Sequence, residues 1–248
     1  MTTAEKLIQI AENEPRVYQA GIEEGVEQGR KAEYDAFWDD YQQNGERVNY
    51  NYGFYNKGWA DASFKPKYNI IPTRANQMFA ESYISDLVGI LENCGVTLDL
   101  SQATNIYMTF YWCLNLTRVP VVDTRACTND SQTFTYLFGS DANLISIEKL
   151  ILKDDGSQPF ANTFSGCYKL QEIRIEGTIG QNGFNVSPCT KLSKASITSI
   201  INALSSTTSG LTVTLSKVAV DAAFEGGSAG AEWTALKNTR TNWTISLV

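Results

Sequence analysis

The sequence predicts an α/β repeat fold: a short leucine-rich-repeat solenoid with a helical N-terminal segment and an α/β C-terminal cap. Three observations carry that prediction. Phe110-x5-Leu116-x2-Val119, Phe138-x5-Leu144-x2-Ile147 and Phe164-x5-Leu170-x2-Ile173 share one spacing, with Phe-to-Phe offsets of 28 (138 minus 110) and 26 (164 minus 138) residues. Each phrase runs into a short stretch of alternating apolar residues, the pattern of a half-buried strand. Ser187–Leu192 reads as a fourth, degenerate copy that has lost its Phe. Units of this length bury their apolar face only by stacking on neighbours.

Taken in order, residues 3–13 form an amphipathic pattern with Leu7, Ile8 and Ile10 apolar and Glu5, Lys6, Gln9 and Glu12 polar. Pro15 ends that helix or opens a second one reaching about Gln42. Gly21, Gly25 and Gly29 recur every four residues along it, which marks either a face for close backbone approach or a frayed connector. Residues 1–45 are therefore read as an attachment or assembly segment. A heptad register places Glu14 and Glu24 on the seam, so a plain coiled coil is not expected. Residues 46–74 carry Tyr50, Tyr52, Phe54, Tyr55, Trp59, Phe64 and Tyr68 among turn residues. They are read as an aromatic-rich N-terminal cap, with a sugar-stacking platform as the alternative.

Residues 75–192 are assigned to the solenoid, with strands expected at Val96–Leu100, Arg118–Asp123, Lys149–Lys153 and Glu172–Glu176. Residues 75–79 resemble the start of a first repeat, Phe79 lying 31 residues before Phe110 (110 minus 79). Residues 193–248 change character and are read as the C-terminal cap. They hold an amphipathic helix to Leu204 capped by Ser193, a strand at Leu211–Leu215, short helices at Val218–Phe224 and Glu232–Asn238, and a last strand at Trp243–Leu247.

Composition narrows the chemistry. With 248 residues, 43% of them hydrophobic, the chain can bury a sizeable core. The net charge is -7, and Lys and Arg form no cluster that could follow a phosphate backbone, so no nucleic-acid partner is expected. The absence of histidine removes Ser-His-Asp and Cys-His catalysis and imidazole ligation of metals. Cys94, Cys113, Cys127, Cys167 and Cys189 include no C-x2-C pair, so neither a zinc site nor a thioredoxin-like motif is expected. Cys113, Cys167 and Cys189 share one repeat position, read as a buried apolar site, with a disulfide between neighbouring coils left open.

Asp154, Asp155 and Gly156 form a turn without the further oxygen ligands that a calcium loop needs. Asp99, Asp123, Asp154, Glu172 and Glu176 lie in or near strands, yet no spacing fixes them as a catalytic pair. No enzyme activity, cofactor or metal is expected. No apolar run reaches membrane-spanning length and the N-terminus lacks a signal-peptide pattern, so neither membrane insertion nor a cleaved signal is expected.

The phrase from Thr163 to Ile175 resembles the BspA-type leucine-rich repeat, whose units read F-x2-C-x2-L-x2-I and continue into a strand. The likeness covers roughly residues 75–192; it is strongest at Phe164, fair at Phe110 and weakest at Phe138, where Ser140 or Asp141 stands near the Cys position. The block from Glu33 to Gly45, the aromatic stretch ending at Tyr68 and the segment Asn242–Leu247 resemble leucine-rich proteins encoded among the tail genes of phages and prophages of Gram-positive gut bacteria. These likenesses imply a non-enzymatic virion protein, made in the host cytoplasm without a signal peptide, that contacts a host-surface glycan or protein; the missing signal fits a cytoplasmic protein as well. Other virion proteins would engage residues 1–45, and the chain could form a homo-oligomer. The expected contacts are Tyr107, Tyr111, Trp112 and Tyr168, rings near repeat strands for which core packing is the other open role. The alternative is a purely structural virion or scaffold subunit.

Overall fold

The repeat phrase places its large apolar residues at equivalent points, and the core follows from that. Phe79, Phe110, Phe138 and Phe164 are buried and stack ring on ring with centroids 5.5–5.6 Å apart. Leu116, Leu144 and Leu170, with Val119, Ile147 and Ile173, are buried alongside. Each stacked pair adds about 0.5–1.5 kcal/mol beyond the area it removes from water. A second inner series, Phe134, Phe160 and Phe184, runs at centroid spacings of 5.5 and 5.0 Å.

The structure is a computed structural model that describes residues 68–94, 96–128 and 133–248. The expected helical segment 1–45, and all but the end of the aromatic-rich cap, lie outside those residues. Two compact units are present. The described part of the first holds β1 (Tyr68–Ile70) paired in parallel with β2 (Val96–Leu98), preceded by helix α1 (Leu87–Cys94). Leu87, Val88 and Leu91 supply the buried face of α1.

The second unit comprises Ile71–Leu87 and Asp99–Val248. It contains a parallel sheet of β3 (Arg118–Asp123), β4 (Ser146–Ile151) and β5 (Glu172–Glu176), in that order. Arg118 pairs with Ser146 and Ser146 with Glu172, matching the sequence offsets at the strand starts, and a register shift after Ile147 then sets Leu150 opposite Ile175. A second parallel sheet holds β6 (Asn185–Val186), β7 (Leu211–Leu215) and β8 (Trp243–Leu247). Between these strands lie α2 (Lys194–Ala203), α3 (Lys217–Ala223) and α4 (Ala231–Lys237).

Each helix has an evident local cause. Ser193 caps α2 by accepting the Ser196 N–H at 3.2 Å, and Ile197, Ile200 and Ile201 bury one face. Its far end is closed by Arg240, whose Nε and Nη2 donate to the Leu204 and Asn202 carbonyls at 2.9 and 2.8 Å. Ser216 caps α3 by accepting the Ala219 N–H at 3.3 Å. Trp233 anchors α4 beneath Phe224, and Glu232 pairs with Lys194 of α2.

The expectation of an α/β repeat solenoid over residues 75–192 is corrected here. The described strands do not continue through the chain; they divide into sheets of two, three and three strands, giving a mixed α/β architecture with short helices. The physical reason is clearest after β5. The degenerate copy at Ser187–Leu192 leads into α2, not into another strand. Hydroxyls of α2 then take the bonds a further strand would have made. Ser196 Oγ accepts the Ile173 N–H and Ser199 Oγ accepts the Ile175 N–H, both at 2.9 Å. Likewise, Phe79 is followed by α1, where a strand would continue the series. The C-terminal residues expected to cap a solenoid supply β7 and β8, which form a sheet with β6 from the segment assigned to the solenoid.

Strand boundaries shift for local reasons too. β4 begins at Ser146, ahead of the expected Lys149, because the Ile145 and Ser146 N–H groups both reach the Thr117 carbonyl, at 2.8 and 3.1 Å. It ends at Ile151, before the expected Lys153. The Lys153 N–H is diverted to Oε1 of buried Gln158 at 2.8 Å.

Candidate binding surface

The turns that precede the β3–β5 sheet repeat one backbone device. Two residues before and two residues after each buried Phe, the chain is left-handed. The pairs are Gln77 and Glu81, Met108 and Trp112, Tyr136 and Ser140, and Asn162 and Gly166, with φ between 53° and 81°. The turns are joined by backbone bonds: Glu81 N–H to the Tyr111 carbonyl at 2.7 Å, Trp112 N–H to Gly139 at 2.9 Å, and Ser140 N–H to Ser165 at 2.6 Å. A left-handed residue bearing a Cβ costs about 1–2 kcal/mol, and glycine or asparagine lowers that cost. The last turn uses Asn162 and Gly166. The middle two turns place Trp112 and Tyr136 at these points.

Those two rings belong to a cluster. Tyr111 meets Tyr136 edge-on at 5.5 Å and Trp112 at 6.3 Å. Trp112 is 48% exposed, and Tyr111 and Tyr136 are half-buried. Gly139 lets Tyr136 lie down, since a Cβ there would stand 2.7 Å from Cδ1 of that ring. The next two turns carry small residues, Ser140 and then Ser165 and Gly166, and a Cβ on Gly166 would stand 3.0 Å from the Ser140 Cα.

Of the four residues expected to bind, the structure brings together Tyr111 and Trp112. Tyr107 is half-buried, and its N–H is held by Asn105 Oδ1 at 2.8 Å. Tyr168 is 59% exposed and lies on a later turn, outside the ring cluster. Sequence reasoning missed Tyr136, the third member, and Tyr83, the most exposed large hydrophobic residue among those described, at 82%. A signal existed for Tyr83: it stands four residues after Phe79, as Tyr168 stands four after Phe164 and exposed Leu114 four after Phe110.

Three residues after each Phe the side chain turns inward. Ser82, Cys113, Asp141 and Cys167 occupy this position, and buried Cys189 takes it in the degenerate copy. Cys167 and Cys189 are free thiols. Cys113 and Cys167 Sγ donate to the Phe79 and Phe138 carbonyls, each at 2.9 Å. Burial pushes the Cys167 thiol well up and the Cys189 thiol up to about 12, which keeps both protonated and unreactive. Asp141 departs from the pattern. Its Oδ1 accepts the Cys113 N–H at 2.7 Å, while buried Oδ2 has no hydrogen-bond partner among the described residues. Burial pushes this carboxyl up to about 9, and the Cys113 N–H offsets only part of that.

Several other carboxylates are engaged locally. Asp123 is bound by Arg125 at 2.6 Å, Glu176 by Lys149 at 3.0 Å, and Glu172 accepts the Ser193 hydroxyl at 2.9 Å. Asp155 accepts both the N–H and the hydroxyl of Ser157, at 2.9 and 2.6 Å, closing its turn. Among the described residues no group of three or more Cys, Asp or Glu is placed to hold a metal ion. No described helix is long and apolar enough to cross a membrane. Searches against protein-family models, curated proteins and solved structures returned no match.

Proposed function

We propose that this chain is a non-enzymatic binding protein whose exposed turn surface, centred on Trp112 and Tyr111, contacts a ligand on a bacterial surface. The observation that carries the reading is the placement of Trp112. It sits at a left-handed position that the fold would fill more cheaply with glycine, and its ring stays half in solvent. A large, rigid, amphipathic ring held in place by its neighbours is what a recognition surface requires. The sharper form of the proposal is a tail-associated virion protein of a phage or prophage of Gram-positive gut bacteria, and it rests on the sequence resemblance.

The test is co-sedimentation of the fluorescently labelled protein with intact Gram-positive gut bacteria. Saturable binding to some strains is the expected result. Absence of binding to every strain by a folded protein would contradict it and move the assignment to a structural subunit, which sedimentation velocity would reveal as a defined oligomer.

A further inference from the structure

We infer that the ledge formed by Trp112, Tyr111 and Tyr136 is a stacking platform for a neutral glycan, an inference that rests on the binding role proposed above. Pyranose rings present an apolar C–H face rimmed by hydroxyls. A matching surface needs exposed aromatic faces with uncharged hydrogen-bonding groups around them. Tyr111 meets both Trp112 and Tyr136 edge-on, so the rings are held by contact before any ligand arrives and less freedom is lost on binding. Ser140 and Ser165 stand on the following turns, joined by the Ser140 N–H to Ser165 carbonyl bond, and Gly139 makes room for the Tyr136 ring. Joined by backbone bonds, these turns lie roughly 5 Å apart, so a flat ligand can extend across several of them.

Charge decides between neutral and acidic sugars. Glu81 holds on its own turn the position that Trp112 holds on the next, its N–H bonds the Tyr111 carbonyl, and the whole chain carries a net charge of -7. An anionic polymer would meet repulsion here, whereas a neutral one would not. The backbone cost of Trp112 and Tyr136 supplies an independent argument: two of the left-handed positions bearing a Cβ hold aromatic rings, and both belong to this one cluster.

The test is calorimetric titration of the full-length protein with the neutral polysaccharide fraction from the walls of Gram-positive gut strains, and with the anionic fraction from the same walls. Saturable binding of the neutral fraction is expected, weakened by at least about tenfold in Trp112→Ala and largely kept in Trp112→Phe. Binding of the anionic fraction alone would overturn the inference, as would unchanged binding in Trp112→Ala. Cell binding that survives periodate but is lost after protease treatment would replace the glycan with a protein partner and leave the broader binding role standing. A concentration-dependent dimer abolished by Trp112→Ala would make a second copy the occupant and overturn the glycan. No binding to any cell or fraction would remove both readings.

Discussion

Asp141 stands where the neighbouring turns carry Cys113 and Cys167, and it titrates far from the usual carboxylate range because burial pushes it up to about 9. The unfolded chain releases this proton near pH 4 while the folded chain keeps it. The contribution to stability is therefore fully present below about pH 4 and is lost as pH rises toward 9, by up to about 1.4 kcal/mol per pH unit. Urea denaturation across that range should show a falling stability that Asp141→Asn flattens; parallel curves would refute the assignment. The left-handed turns give a second residue-level prediction. Ser140→Gly should stabilise by about 0.5–1 kcal/mol, whereas Gly166→Ala should destabilise by about 1–2 kcal/mol. The Gly166 change would also bring a Cβ to 3.0 Å from the Ser140 Cα. Thermal melts of the two variants should move in opposite directions. At this scale the Phe, Leu and Cys positions were legible from spacing alone, because burial selects apolar side chains at a fixed period. Backbone handedness was not. Trp112, Met108 and Tyr136 carry no compositional mark of a left-handed turn, which glycine or asparagine would have signalled.

Helix α2 decides where the β3–β5 sheet stops. Ser196 is buried and holds the Ile173 N–H, so Ser196→Ala leaves that donor unpaired and should cost about 1–3 kcal/mol. Ser199→Ala, at a half-buried site, should cost less. Equal, negligible losses in chemical denaturation would show that the sheet edge is satisfied some other way. The strands Arg118–Asp123, Glu172–Glu176, Leu211–Leu215 and Trp243–Leu247 stand where their alternating residues place them. So does α2, where the Ser193 cap and the isoleucine spacing agree. What the pattern did not convey was how strands associate. A hydroxyl that replaces a strand's main-chain acceptor is a side-chain event, and Ser193, Ser196 and Ser199 look in sequence like an ordinary polar helix face. For the same reason β6, only two residues long, left no periodic trace.

At the scale of the molecule, two small parallel sheets in one unit support a row of turns whose outer face combines fixed backbone geometry with variable side chains. The inner positions are uniform because stacking demands it. The outer ones are free to differ, and there the chain places Tyr111 and Trp112. Of the candidate site, these two residues were legible because aromatic residues flanking a repeat phrase are conspicuous. Tyr136 was not, since it joins the cluster only through turn-to-turn stacking across 25 residues of sequence (136 minus 111). The proposed binding role depends on that cluster acting as a recognition surface. It is tested most directly by comparing cell binding of the wild-type protein with that of Trp112→Ala and Tyr111→Ala, each first shown by circular dichroism to be folded. A loss of about tenfold or more in both variants is predicted. Binding as tight as wild type in both would contradict the account.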